Sequence, residues 1–272
     1  MATSVIDSAP RAVESPSSTA VIDLRQVVVA FDQFVVLDHL DFSLGEGELR
    51  FLIGPNGAGK TTLMDLVSGK VKPTDGRATL RTRAGGLLRD VDITKQQEHD
   101  LVRLGLARKF QTPSVFRSLT CFENLEVALG FRSSLPSLLL KLQGNKRERI
   151  HEALETVGLN ERAHVLAGSL SHGQLQWLEI AMLLVQEPSV LLLDEPVAGM
   201  TRQERETTGD LLHRLEGQHS ILVTEHDMDF VRQFSRTVTV LHQGRLLAEG
   251  SVAEIQSNRE VVEVYLGRSH AD

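Results

Sequence analysis

Apolar residues recur along this chain at two spacings. Val21 to Phe31 reads as a strand, and Leu40, Phe42 and Leu44 alternate with Asp41 and Ser43, the period of a strand with one buried face. After the turn Gly45-Glu46-Gly47, Leu49 to Ile53 reads as a buried strand. Val190 to Leu193 and Ile221 to Val223 are unbroken apolar runs, as expected of strands covered on both faces. Thr237 to His242 and Arg245 to Glu249 form a predicted hairpin through Gln243-Gly244. A turn at Pro73 to Gly76 leads to a short strand at Arg77 to Leu80. Gly85-Gly86 suggests another hairpin, and Leu106 to Phe110 another strand.

Helix signals lie between these runs. Lys60 to Ser68 reads as a short helix stopped by Gly69. Thr94 to Gln97 has a capping-box pattern opening a helix that Gly105 ends, and Thr120 with Glu123 has another. Asn145 is the predicted cap of a helix with Ile150, Leu154 and Val157 on one face and Gly158 as its stop. Ser171 with Gln174, Thr201 with Glu204 (to about Leu215) and Ser251 with Glu254 open further helices. The predicted fold is α/β: a mainly parallel sheet, an antiparallel β part near the N-terminus and a helical subdomain at about 94–170. Phe131 to Gly144 is apolar and holds Pro136. It reads either as a surface that docks on something apolar or as a loop covering the domain's own core.

Composition narrows the class. Of 272 residues, 29 are basic and 36 acidic, a net charge of −7, which argues against a general nucleic-acid binder. The single cysteine, Cys121, has no internal partner for a disulfide, in keeping with a reducing cytoplasm. No run approaches the ~20 apolar residues of a membrane span, and the start lacks the apolar core of a signal peptide. A membrane role would therefore come through a partner. Residues 1–20, rich in Ser, Ala and Pro, are expected to be a disordered tail, with one ordered domain over 21–267 and a short tail at 268–272.

The chemistry centres on Gly54-Pro55-Asn56-Gly57-Ala58-Gly59-Lys60-Thr61, which fits the phosphate-binding pattern G-x-x-x-x-G-K-[ST] between a strand and a helix. The glycines let the backbone approach a phosphate chain, successive N–H groups form an anion nest, and the helix start adds its dipole. Lys60 brings a full positive charge to the β- and γ-phosphates, and the Thr61 hydroxyl is a ligand for Mg²⁺. Val190 to Leu193 runs into two carboxylates: Asp194, placed to hold Mg²⁺ through its water shell, and Glu195, able to polarise an attacking water. Leu170-Ser171-His172-Gly173-Gln174 opens a second helix whose free N–H groups suit an anion. One phosphate chain rarely needs two such termini, so this one is expected to serve ATP held by a second copy. Phe31 is a candidate for stacking on a purine and equally a core aromatic. His226, taken alone, reads as a satisfied histidine at a strand end.

Together, Gly54 to Thr61, Gln111, Leu170 to Gln174, Asp194-Glu195 and His226 resemble an ABC-transporter ATP-binding subunit over about residues 21–267. The resemblance implies a P-loop nucleotide-binding domain with ATP and Mg²⁺ as cofactors. In it Phe31 stacks on adenine, and Gly54, Pro55, Asn56, Gly57, Ala58, Gly59, Lys60, Thr61 and Thr62 bind the nucleotide. Ser171, Gly173 and Gln174 close over the partner's ATP. Thr61, Gln111 and Asp194 serve the metal, and Glu195, His226 and Gln111 the catalysis, with Glu195 as general base, His226 on the γ-phosphate, and Gln111 sensing it and coupling to the membrane subunit. The implied partners are transmembrane permease subunits, a second ATPase arranged head to tail (by preference a paralogue) and, indirectly, a solute-binding protein. The implied place is peripheral, on the cytoplasmic face of the inner membrane.

Two positions depart from the family pattern: His172 replaces the first glycine of Leu-Ser-Gly-Gly-Gln, and Thr201 stands where many members carry Asp. Arg108 to Phe116, Pro196 to Thr201 and Val264 to Gly267 resemble the branched-chain amino acid and amide importers. Ser171-His172-Gly173-Gln174 followed by Gln176-Trp177-Leu178-Glu179 is most similar to the ATP-binding subunit of urea importers. The expected solute is therefore urea, with branched-chain amino acids or short amides as the alternative, and lipopolysaccharide export or a non-transport ABC ATPase further behind.

Overall fold

The computed structural model describes residues 20–84, 87–109, 114–130 and 143–266. Strands β1 (Ala20–Phe31) and β2 (Phe34–Gly45) form an antiparallel pair; β3 (Leu49–Ile53) leads into α1 (Lys60–Val67); β4 (Asp75–Ala84) and β5 (Leu87–Asp92) pair antiparallel. Next come α2 (Glu98–Arg103), β6 (Leu106–Lys109), α3 (Cys121–Gly130), α4 (Gln143–Thr156) and α5 (His172–Leu184). The chain continues through β7 (Val190–Asp194), α6 (Arg202–Leu215), β8 (Ser220–Thr224), α7 (Met228–Phe234), β9 (Thr237–His242), β10 (Arg245–Gly250), α8 (Val252–Ser257) and α9 (Arg259–Leu266).

The strands make two sheets. One is antiparallel, in the order β2-β1-β4-β5; the other has the order β10-β9-β3-β8-β7-β6 and is parallel except for the β9–β10 hairpin. The unbroken apolar runs follow from what lies on either side of the second sheet. Leu52, Val190, Leu192 and Leu222 join the antiparallel sheet and α1 in one core. Their neighbours Phe51, Ile53, Leu191, Leu193, Ile221 and Val223 join α3 to α7 in another. Because successive side chains of a strand point to opposite faces, a wall between two cores needs apolar residues at every position.

The same alternation divides the polar ends of the strands. In β6, Leu106 belongs to the α1 side and Ala107 to the helical side. Arg108 accordingly reaches Asp65 of α1 and Ser68, the residue that caps its end, at 2.5 and 2.9 Å. Lys109, completely buried, faces Glu179 of α5 at 3.6 Å.

Several expectations are corrected. The cap at Thr94 is displaced because Asp92 accepts both the Thr94 N–H and its hydroxyl, at 3.0 and 2.6 Å, closing a 3₁₀ turn over Ile93–Lys95. The α-helix starts afterwards at Glu98, with Gln97 as its cap and Asp100 accepting the Gln97 N–H. Asn145 is no cap, since α4 is already helical from Gln143. The strand expected at Leu106 to Phe110 is described over Leu106–Lys109, as the edge strand of the parallel sheet. β1 includes Ala20, β4 continues past Leu80 to Ala84, and α7 and α9 add helices the pattern reading passed over. Residues 1–19, Gly85-Gly86, Gln111, residues 131–142 and 267–272 lie outside the described residues. So does any test of the tails and of the apolar 131–144 segment, apart from the helical start at Gln143.

Candidate nucleotide site

The phosphate loop, Asp194, Glu195 and His226 gather at the carboxyl ends of the parallel strands, the usual place for ligands in open α/β sheets. The phosphate loop follows β3, Asp194 ends β7, and His226 lies just past β8. Gly54 is required sterically: a Cβ there would lie 2.3 Å from the Leu241 carbonyl oxygen. The loop is closed by the Ala58 N–H donating to Pro55 (3.1 Å) and tied to the β9–β10 turn by the Gly244 N–H donating to Ala58 (3.0 Å). Lys60 opens α1 with Gly59 as the cap, and its ammonium donates to the carbonyls of Gly54 (2.6 Å) and Pro55 (3.2 Å). Burial pushes the Lys60 ammonium below the usual lysine range, against the pull of Glu195 and Asp194. Thr61 is exposed and Thr62 half-buried in the first turn of α1; Pro55, Asn56 and Gly57 are accessible, while Gly54, Ala58 and Gly59 are buried.

Asp194 shares the parity of Leu192 and so faces the α1 side. The Thr224 hydroxyl donates to its Oδ1 at 2.5 Å, and the Arg108 guanidinium lies 3.9 Å from Oδ2. Glu195 breaks the strand with a left-handed φ of 45°. Its N–H is held by the Thr224 carbonyl at 3.0 Å, and its Oε1 stands 3.4 Å from His226 Nδ1. A non-glycine residue in that conformation at a strand end is the kind of strain found where function requires a side chain to be aimed. The His226 ring is largely exposed and Glu195 about one-quarter exposed, so the pair opens towards solvent.

The second helix start is built as expected. Ser171 Oγ accepts the Gln174 N–H at 3.2 Å, and Gln174 Oε1 accepts the Ser171 N–H at 3.1 Å. Its neighbours come from the segment after β7. The Ser171 hydroxyl donates to Glu204 Oε1 at 3.0 Å, and Glu204 Oε2 accepts the N–H of Thr201, the α6 cap, at 3.0 Å. Gly173 packs so tightly that a Cβ would lie 2.5 Å from the Glu204 carboxyl group. His172 Nε2 donates to the Ala198 carbonyl at 3.1 Å. Trp177 Nε1 donates to the buried Thr208 hydroxyl at 2.9 Å, binding α5 to α6. Among the described residues these contacts join Ser171 and His172 to 198–204 and not to the phosphate loop.

Phe31 ends β1, half-exposed, paired in register with Phe34, which is 72% exposed. It is not a core aromatic. Gln111 lies outside the described residues, two positions beyond the end of β6. Two groups escaped the sequence reading. Glu225 is buried, and its carboxyl accepts from backbone N–H groups on both sides of the site. The Lys109–Glu179 pair is also buried, with Glu179 Oε1 accepting the Ser114 N–H at 3.2 Å. Burial drives the Lys109 ammonium down and the Glu179 carboxyl up. The contacts that join segments have no local signature, because Val197 and Glu225 are 28 residues apart in sequence and Lys109 and Glu179 are 70 apart.

Residues 37–198 match the family model described as ABC transporter. The chain belongs to this family. The cassette's residues 245–271 also match the model described as branched-chain amino acid ATP-binding cassette transporter. The cassette is 35% identical over 262 residues to the high-affinity branched-chain amino acid transport ATP-binding protein LivG of Salmonella typhimurium, covering 93% of this chain and 100% of that protein. It is 32% identical over 264 residues to BraF of Pseudomonas aeruginosa, named for the same transport, with the same coverage. Among solved structures, the ADP conformation of MJ1267, an ATP-binding cassette of an ABC transporter, superposes with a TM-score of 0.78 at 29% identity, over 92% of this chain and 100% of that one. The cassette is thus an ABC-type ATPase with the fold of the ATP-binding cassettes.

Proposed function

We propose that the cassette powers uptake of a small polar solute across a membrane, that its active centre is Lys60, Glu195 and His226, and that the solute is urea. The observation that carries the active centre is the 3.4 Å approach of Glu195 to His226 at the edge where both carboxylates act on Lys60. Glu195 accepts the proton of the attacking water. His226 holds the γ-phosphate and orients that water. Lys60 and the loop N–H groups take the charge that builds on the phosphate oxygens. Phe31 offers an exposed ring to the adenine.

The oxygen donors fit Mg²⁺, which keeps most of its water shell and binds through one or two protein oxygens plus phosphate. Thr61 and Asp194 supply such oxygens, with Gln111 as a third. No cluster of three or more His, Cys, Asp or Glu side chains able to hold a metal occurs among the described residues, so an all-protein cage is not the design. When bound, the ion would neutralise phosphate charge.

The second helix start, whose side-chain contacts run to residues 198–204, supports a head-to-tail pair in which Ser171, Gly173 and Gln174 serve the partner's ATP. A cassette of the same fold, MJ0796, forms a dimer with bound ADP and Pi. The partner is a paralogous ATPase, the pair drives permease subunits fed by a solute-binding protein, and the assembly places the chain on the cytoplasmic face of the inner membrane. No helix among the described residues is long and apolar enough to cross a membrane.

Urea is supported by the Ser171-His172-Gly173-Gln174 and Gln176-Trp177-Leu178-Glu179 segments. A second reading, branched-chain amino acids, is favoured by the relatives' names and by the match at 245–271. Uptake of labelled urea and labelled leucine by cells lacking the chain, with and without the restored gene, separates them. Urea uptake lost, and restored by the wild type but not by Glu195→Gln, supports the full proposal. Loss of leucine uptake alone moves the solute, and no change in either overturns the importer.

A further inference from the structure

Glu225 is 1% exposed, directly after β8 and before His226. Its two carboxyl oxygens serve different segments. Oε1 accepts the N–H of Val197 at 3.3 Å; Oε2 accepts the N–H groups of His226 at 3.2 Å and Asp227 at 3.5 Å. Val197 is two residues past Glu195, and the His226 ring approaches Glu195 from the other side. The contacts therefore close a ring: Glu195 to Val197 by the chain, Val197 to Glu225 by a hydrogen bond, Glu225 to His226 by the chain, and His226 back to Glu195.

A buried carboxyl is costly to keep, and an apolar side chain would fill the same space without that cost. What the carboxyl adds is an acceptor for three N–H groups that strand pairing leaves over, at the point where β7 and β8 have ended. The preceding residue works in the same direction, since Thr224 bonds Asp194 through its hydroxyl and Glu195 through its carbonyl. Residues 224 and 225 thus bond to Asp194, Glu195 and Val197 in turn. Burial lifts the Glu225 carboxyl to about 7, opposed first by the Val197 N–H and then by those of Asp227 and His226. Lys109 on β6 feels the same carboxyl from the helical side.

We infer that Glu225 is a positioning residue for ATP hydrolysis, a bracket that holds the segment after Glu195 at a set distance from His226 so that base and γ-phosphate ligand stay aligned. The inference rests on the proposed roles of Glu195 and His226. It has further reach through the next residue, because Ala198 receives the His172 ring from the α5 start. A shift of the helix that closes on a partner's nucleotide is thereby passed to the bracket.

The test compares Glu225→Gln, Glu225→Asp and Glu195→Gln in the assembled transporter, with kcat, KM for ATP and thermal unfolding measured for each. The amide keeps size and one acceptor but turns an NH₂ towards donors. Glu225→Gln is expected to lose about tenfold in kcat, with KM within about twofold of wild type, since alignment matters in the transition state more than in binding. Glu225→Asp, which retains the acid on a shorter arm, should recover part of the loss. Wild-type kcat in Glu225→Gln, or a loss that tracks falling stability and rising KM in both variants, overturns the inference. Wild-type turnover in Glu195→Gln is a different result, since it removes the general base and leaves the question to the proposed active centre.

Discussion

The His172 ring donates from Nε2 to the carbonyl oxygen of Ala198 at 3.1 Å, so a side chain standing where the family pattern has glycine joins the start of α5 to the loop after β7. The ring also lies against Gly199, whose Cβ position is 3.2 Å from Nε2. The departure from the pattern is thus a tether.

Replacing His172 by Ala removes one exposed hydrogen bond and its ring contact. We expect a loss of about 1 kcal/mol in unfolding free energy, read by urea denaturation, with ATP affinity of the isolated chain unchanged. An affinity drop would mean that the tether shapes the cassette's own phosphate loop.

Glu195→Gln should bind ATP stably while hydrolysing it at a rate lower by about 10² or more, the usual weight of a general base. Single-turnover hydrolysis with the nucleotide prebound checks this, and turnover at the wild-type rate would remove Glu195 from the base role.

The Lys109–Glu179 pair predicts a marked asymmetry. Lys109→Met strands a buried carboxyl and should cost about 3–5 kcal/mol, whereas Lys109→Met with Glu179→Met should regain most of it. Chemical denaturation of these two variants and of Glu179→Met alone gives the coupling. Equal losses in the single and the double variant would show that the pair is held by packing alone.

Glu225 also makes a prediction in pH. Its carboxyl rises from 4.5 in the unfolded chain to about 7 in the folded one. Between those values the folded state holds a proton that the unfolded state has released. Its contribution to stability is therefore complete below about 4.5 and falls as pH rises towards 7, by about 2–4 kcal/mol in all. Unfolding free energies across that window should show a downward component in wild type that Glu225→Gln lacks. Parallel curves would place the titration elsewhere.

Much of this architecture could be read in advance because its causes are local. Val190 to Leu193 and Ile221 to Val223 are apolar at every position, and both faces are buried. Ser171, Thr201 and Ser251 each cap the helix expected of them. Thr94 failed because Asp92, two residues earlier, is the stronger acceptor, and Asn145 failed because the helix already runs before it. α7 had a signal that was passed over: Asp227 accepts the N–H groups of Asp229 and Phe230, ahead of buried Phe230, Val231 and Phe234. The contacts of Glu225 with Val197, of Lys109 with Glu179 and of His172 with Ala198 could not be read in this way. Each is a meeting of segments brought together by the sheet, and no spacing along the chain encodes it.

The alternation along β7 is, finally, a ruler for chemistry as well as a rule for packing. Four apolar residues set which face the fifth will take, and the fifth is Asp194, opposite Thr224 in the β7–β8 register. Deleting any one of Val190 to Leu193 would leave a plausible hydrophobic strand. It would also bring Glu195 into the place of Asp194, turn Asp194 to the helical face in the place of Leu193 and carry Glu195 away from His226, undoing the proposed metal and base positions. Such a deletion would miscount for both at once: a carboxylate would stand in the fully buried place of Leu193, and the two acids would leave the faces that the proposed chemistry needs.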